Sequence, residues 1–127
     1  MLIKSRIKIF ISSLLLTTSL LRIFLILFPA TNLNFGKYNI HHLFIGAFLV
    51  VVALVFFILD IVNNIVIVLA GFSSALVLDE IVYLIATDGS DKAYLTPISL
   101  WGAIILTAIV LIFTVFLYRY NKQKVGE

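Results

Sequence analysis

Four apolar runs, each near the length needed to cross a bilayer, leave this chain little freedom of fold. A transmembrane helix needs about 20 predominantly apolar residues, and such runs cover residues 9–28, 40–62, 65–86 and 97–118. Hydrophobic residues make up 63% of the 127 positions and charged residues 12%, a balance that soluble domains do not show. The expected fold is all-α: a polytopic membrane protein whose four transmembrane helices form one antiparallel bundle over residues 1–127. Between the runs there is no stretch long enough for a soluble domain, and no repeat or low-complexity tract.

Local signals set the limits of each run. Pro29 biases Phe28 out of helical geometry and ends the first. Ser12, Ser13, Thr17, Thr18 and Ser19 make that run the least apolar of the four. Asn39 is placed to cap the second run, and the Asn63-Asn64 pair separates it from the third. Gly89 follows the third where a chain leaving a helix often needs a left-handed residue. Thr96-Pro97 opens the fourth as a cap followed by proline in the first helical position. Lys4, Arg6 and Lys8 give the first run the basic start of a secretory signal, but Arg22 interrupts it and Phe28-Pro29-Ala30 lacks a small residue three before a cleavage point. The first run is therefore expected to be retained as a span.

Six of the nine Lys and Arg residues flank the outer limits of the first and fourth runs: Lys4, Arg6, Lys8, Arg119, Lys122 and Lys124. With four spans these positions share one side, which the positive-inside rule makes the cytoplasm. The expectation is a multi-pass protein of the plasma membrane with both termini cytoplasmic. Tyr38, Tyr94 and Trp101 would then mark the outer interface, and Tyr118 and Tyr120 the inner one. The formal charge of +3 has no basic stripe or RNA-binding motif behind it, so the expected counter-charge is anionic lipid and not nucleic acid. The lipid bilayer is the expected partner, with other membrane proteins or self-association as further ones. There is no cysteine, which removes disulfides and thiolate metal sites from consideration.

The third run contains the exception to its own composition. In "ALVLDEIVYLI", Asp79 and Glu80 stand side by side among apolar residues. The topology turns them into part of a neighbourhood. Glu80 lies about six residues, roughly 9 Å, below the outer end of its span, and Arg22 lies at the same depth in the first span. His41 and His42 open the second span at its outer rim. Gly71, Ala75 and Asp79 follow one another at helical spacing, as do His42 and Gly46, so small residues that allow close helix approach share faces with the polar ones. Ser99, Ala103 and Thr107 form a similar stripe on the fourth span.

An acidic residue at mid-bilayer costs about 2.5 to 3.5 kcal/mol on the insertion scale, against about 0.3 to 0.6 gained per Leu, Ile, Val or Phe. The pair therefore needs partners. One reading makes Arg22 the ion-pair partner, with serine, threonine or Tyr83 supplying hydrogen bonds. The other makes His41, His42, Asp79 and Glu80 ligands of a divalent metal ion, a donor set that suits zinc, manganese or iron. The positive end of the second helix disfavours imidazolium and leaves neutral rings able to bind metal.

The stretches "IHHLFIG" (40–46), "GFSSALVLDEIVYLI" (71–85) and "YLTPISLWG" (94–102) resemble a group of small uncharacterised prokaryotic integral membrane proteins. Their shared pattern is His-His-x-x-x-Gly at one span start and a glycine-rich stretch leading to Asp-Glu in the next. The resemblance implies that His41, His42, Gly46, Gly71, Asp79 and Glu80 are the marked positions, without implying an activity. Ser73 and Ala75 stand where such proteins repeat glycine. No nucleophile elbow, P-loop, dinucleotide fingerprint or multi-histidine set is present. The expected function is a non-enzymatic membrane component or complex subunit whose polar cluster is structural or binds a cation. A metal-dependent enzyme acting on a lipid-like substrate, and an oligomeric proton-coupled or cation transporter, are the alternatives.

Overall fold

The computed structural model describes residues 2–29, 31, 34–36 and 38–125. Lys37 and the side chains of Asn34, Tyr38, Asn39 and Val125 lie outside that description, and with them the expected interfacial role of Tyr38. Among the described residues the regular elements are helices, apart from one minimal hairpin. Helix α1 covers Ile3–Leu27, α2 His42–Ile58, α3 Asn64–Ala86, a single turn α4 Asp91–Tyr94 and α5 Pro97–Val125. Strands β1 (Asn34–Phe35) and β2 (Tyr38–Asn39) pair antiparallel beside Gly36, whose φ is 63°. Among the described residues three helices, α1, α3 and α5, are long and apolar enough to cross a membrane. The exposed surface carries large apolar side chains such as Leu16, Phe48, Ile58, Phe113 and Phe116, the surface of a membrane-embedded protein rather than one facing water.

The second helix is shorter than its apolar run. At 17 residues it is about 26 Å long, and it starts and stops inside the expected limits of 40–62. At its start the cap position is His41 and not Asn39. At its end Asp60 takes a left-handed φ of 55°. The amides of Asp60 and Ile61 donate back to Phe57 and Phe56 carbonyls at 3.1 and 2.9 Å, a Schellman closure that ends the helix. Aspartate reaches this backbone region more readily than a branched residue does.

The other limits follow simpler chemistry. The Asn63 side chain accepts from the Val66 amide at 3.0 Å and caps α3. Gly89 has φ of 73° just beyond the end of α3. The Thr96 carbonyl accepts from the Leu100 amide to open α5, but its hydroxyl donates back to the Ala93 carbonyl at 2.6 Å instead of capping. Helix α5 continues seven residues past the expected 118, because nothing in "RYNKQK" breaks a helix and Lys122 and Lys124 suit its negative end. Likewise α1 begins at Ile3, ahead of the apolar run.

Helix α3 is the hub. Helices α1, α2 and α5 each lie against it and scarcely touch one another. Close approach is possible because small residues stand at the crossings. A Cβ on Gly71 would come within 2.6 Å of the Phe10 carbonyl of α1, and one on Gly46 within 2.8 Å of the Ser73 carbonyl of α3. Gly102 of α5 meets Val82 in the same way. The Ser13 hydroxyl donates to the Val68 carbonyl at 2.8 Å beside the Gly71 crossing. Ala75 of α3 and Ser99 and Ala103 of α5 are fully or almost fully buried, and Thr107 nearly so.

Because the neighbour of Gly71 is a backbone oxygen, a methyl group there forces α1 outward. Gly71→Ala is expected to lower stability by about 1–3 kcal/mol, the usual cost of overpacking. Equilibrium unfolding in mixed detergent micelles measures it.

Candidate functional site

Adjacent helical residues point about 100° apart, so a carboxylate pair on a peripheral helix would send one member to the interior and the other elsewhere. On a hub helix both directions are interior. Asp79 is completely buried and Glu80 is 3% exposed, and the two face different neighbours.

Asp79 faces α1 and α4. Its Oδ1 accepts from Arg22 Nε at 2.5 Å. Its Oδ2 accepts from the Tyr94 hydroxyl and lies 3.2 Å from His42 Nε2. The rest of the guanidinium is also engaged. Nη1 donates to the Tyr94 carbonyl at 3.1 Å, and Nη2 donates to the Asp79 carbonyl at 2.9 Å and the Ser99 hydroxyl at 3.1 Å. The guanidinium carbon stands 4.2 Å from the centre of the Tyr94 ring, a cation–π distance. One arginine thus joins α1 to α3, α4 and α5.

Glu80 faces α2. Its Oε1 pairs with His41 Nδ1 at 2.7 Å. Its Oε2 accepts from the Leu43 amide at 2.7 Å, so a side chain of α3 caps the first turn of α2, where His41 itself provides no side-chain cap. A carboxylate at that position satisfies an orphan amide and complements the positive helix end. His42 lies between the two acids, with Nδ1 3.4 Å from Glu80 Oε2.

The five residues expected to share a layer are therefore joined in one chain of contacts, Arg22 to Asp79, Asp79 to His42, His42 to Glu80 and Glu80 to His41. They meet one another directly. Among the described residues no group of three or more His, Asp or Glu side chains is disposed around a common point for a metal ion, and each carboxylate oxygen already lies within hydrogen-bond distance of a protein partner. Tyr83 differs from its expected role. Its hydroxyl donates to the Gly89 carbonyl at 2.5 Å and ties down the loop after α3 instead of an acid.

Tyr94 is the residue that sequence reasoning missed. It reads as an interfacial aromatic, yet it is 7% exposed. The single turn α4 carries it inward: Ser90 caps that turn by accepting from the Ala93 amide at 3.3 Å. Ser90 in turn is held by Asp88, whose Oδ1 accepts from the Ser90 amide and hydroxyl at 3.0 and 2.8 Å. These bonds hold the Asp88 carboxyl below the usual carboxylate range. The phenol of Tyr94 is pushed far above its usual range, first by burial and then by the Asp79 carboxylate, so it remains a hydrogen-bond donor. The signal available in the sequence was "GSDKAY", a serine cap ahead of a short turn.

Beside the cluster is a cavity of about 160 Å³. Its polar lining residues are Thr31, His41, His42, Glu80, Tyr83, Asp91 and Tyr94. No protein-family model, curated protein or solved structure matches the chain.

Tyr94→Phe keeps the ring over Arg22 and removes one donor from a buried carboxylate. The expected loss is about 1.5–3 kcal/mol of stability, the range for a hydrogen bond to a charged group, measured by the same unfolding equilibrium.

Proposed function

We propose that the protein is a small multi-pass component of the plasma membrane, non-enzymatic, whose outer-leaflet cluster is a structural lock that fixes how its helices dock. The observation that carries this reading is the engagement of both acids by several helices at once: Asp79 and Glu80 have partners on α1, α4 and the start of α2, and Arg22 extends the same network to Ser99 of α5. A metal ion bound by these acids would compete with partners that the chain itself already supplies to every carboxylate oxygen.

Four antiparallel spans with both termini in the cytoplasm are part of the proposal. Two features support it. Contacts climb α1 and α3 together, from Ser13 with Val68 to Arg22 with Asp79. Those between α2 and α3 run oppositely, from His42 with Asp79 to Gly46 with Ser73. That is the pattern of helices crossing in alternating directions. A span can be as short as about 17 residues, the length of α2. The apolar outer faces of α1, α2 and α5 would meet lipid or the helices of a larger assembly.

A double-mutant cycle tests the lock. Asp79→Leu leaves a buried guanidinium unpaired and is expected to cost about 3–5 kcal/mol, whereas Arg22→Met with Asp79→Leu recovers much of that loss. Stability unchanged in Asp79→Leu would defeat the lock. The topology is tested separately, since the chain has no native cysteine. A membrane-impermeant thiol reagent should label Asp88→Cys in intact cells and Lys4→Cys only after permeabilisation; the reverse pattern would overturn the orientation.

A further inference from the structure

At the opposite end of α1 from the lock, α1 and α3 leave a groove of about 650 Å³ between them. It follows α1 from Lys8 to Thr17, about 14 Å at 1.5 Å per residue, and α3 from Ile65 to Phe72. Ile9, Leu16, Val68 and Leu69 make its walls apolar. Leu16, Val68 and Phe72 are exposed, so the groove opens sideways, toward hydrocarbon in a membrane-embedded chain. Lipid tails are as apolar as leucine, and unfilled space there forfeits van der Waals contact. The occupant is therefore drawn from the bilayer itself, as an acyl chain or as a helix of another protein.

Charge decides between them. Lys8 closes one end of the groove, and Lys4 stands one turn before it on the same face of α1, a spacing at which like charges repel. Neither lysine has an ion-pair partner among the described residues, and the first turn of α1 holds no acid. Outside the described residues the one acid is Glu127, the last residue of the chain. Helix α5, which leads to it, lies against α3 and scarcely touches α1. A second copy seated here by twofold symmetry would stand parallel and bring its own Lys8 against the first. An anionic headgroup instead relieves the repulsion between Lys4 and Lys8, and basic pockets between spans are places where such headgroups bind.

The order of groups along the groove matches a phospholipid. Ser12 lies four residues beyond Lys8, about 6 Å deeper. The neighbouring Ser13 hydroxyl is committed to the Val68 carbonyl, whereas the Ser12 hydroxyl has no hydrogen-bond partner among the described residues. In a glycerophospholipid the phosphate is outermost, the ester carbonyls come next and the chains follow. Lys8, then Ser12, then Leu16 and Phe72 present a cation, a hydroxyl donor and apolar walls in that sequence.

We infer that the groove between α1 and α3 is a binding site for one anionic phospholipid of the leaflet at the N-terminal end of α1. Lys4 and Lys8 hold the phosphate, the Ser12 hydroxyl donates to an ester carbonyl, and one acyl chain lies along Ile9, Leu16, Val68 and Phe72. The inference rests on the proposed embedding in a membrane but on neither the lock nor the sidedness. Unfolding reports the lock, thiol labelling reports the sidedness, and lipid retention reports the groove.

The test is native mass spectrometry of the delipidated full chain, offered phosphatidylglycerol and phosphatidylcholine with the same acyl chains. One phosphatidylglycerol per chain is expected to be retained in preference to phosphatidylcholine. Lys8→Gln should weaken its retention about fivefold, the usual worth of one basic residue at an anionic headgroup, and Lys4→Gln with Lys8→Gln should remove the preference. Leu16→Trp, at an exposed position, fills the groove and should expel the lipid while the unfolding midpoint stays the same. Equal retention of the two lipids by the unaltered chain would overturn the inference, as would undiminished phosphatidylglycerol in the double lysine variant or in Leu16→Trp. Oxidative cross-linking of Leu16→Cys into a dimer in phosphatidylglycerol nanodiscs would do the same, since it identifies a second copy as the occupant.

Discussion

The bond between the Arg22 guanidinium and the Asp79 carboxylate is the contact on which the other helix positions depend. A lone charge in hydrocarbon is costly, and a buried ion pair is tolerable only when its remaining donors and lone pairs are also satisfied. The guanidinium works toward that condition by donating to groups on three other elements at once, Asp79 of α3, the Tyr94 carbonyl of α4 and Ser99 of α5. Lysine could not do this, since a point charge on a flexible stem lacks the planar fork. The geometry of the pair thus fixes the height of α1 on α3 and the approach of α5, while the small residues below it permit contact without specifying register.

Glu80 extends the same logic to α2. The first amides of a helix have no partner within it, and in a low-dielectric setting each unpaired one is expensive. Glu80 reaches across from α3 to the Leu43 amide and pairs with the His41 ring. The start of α2 is therefore dictated from outside its own sequence. Its other end is local, closed by the left-handed Asp60.

This distinction also explains what could be read in advance. Helix type and approximate helix positions were legible because long apolar runs admit few alternatives, and the meeting of Arg22 with Asp79 followed from counting residues. The start of α2 was not legible, because its cap comes from a residue 37 positions away. Nor was the burial of both acids, since nothing in the periodicity of α3 shows that three helices surround it. Tyr94 escaped because its role depends on α4, a turn of four residues too short for any hydrophobic period to reveal.

The two acids, adjacent in sequence, end in different situations. The contacts of Asp79 are with Arg22, Tyr94 and His42, side chains that are themselves buried or mostly so, and none of its acceptor capacity faces outward. Glu80 also lines the cavity, and its partner His41 keeps one ring nitrogen unengaged among the described residues. The asymmetry divides the docking of the helices between an enclosed contact, where Asp79 joins α3 to α1 and α4, and one at the border of the cavity, where Glu80 joins α3 to the start of α2.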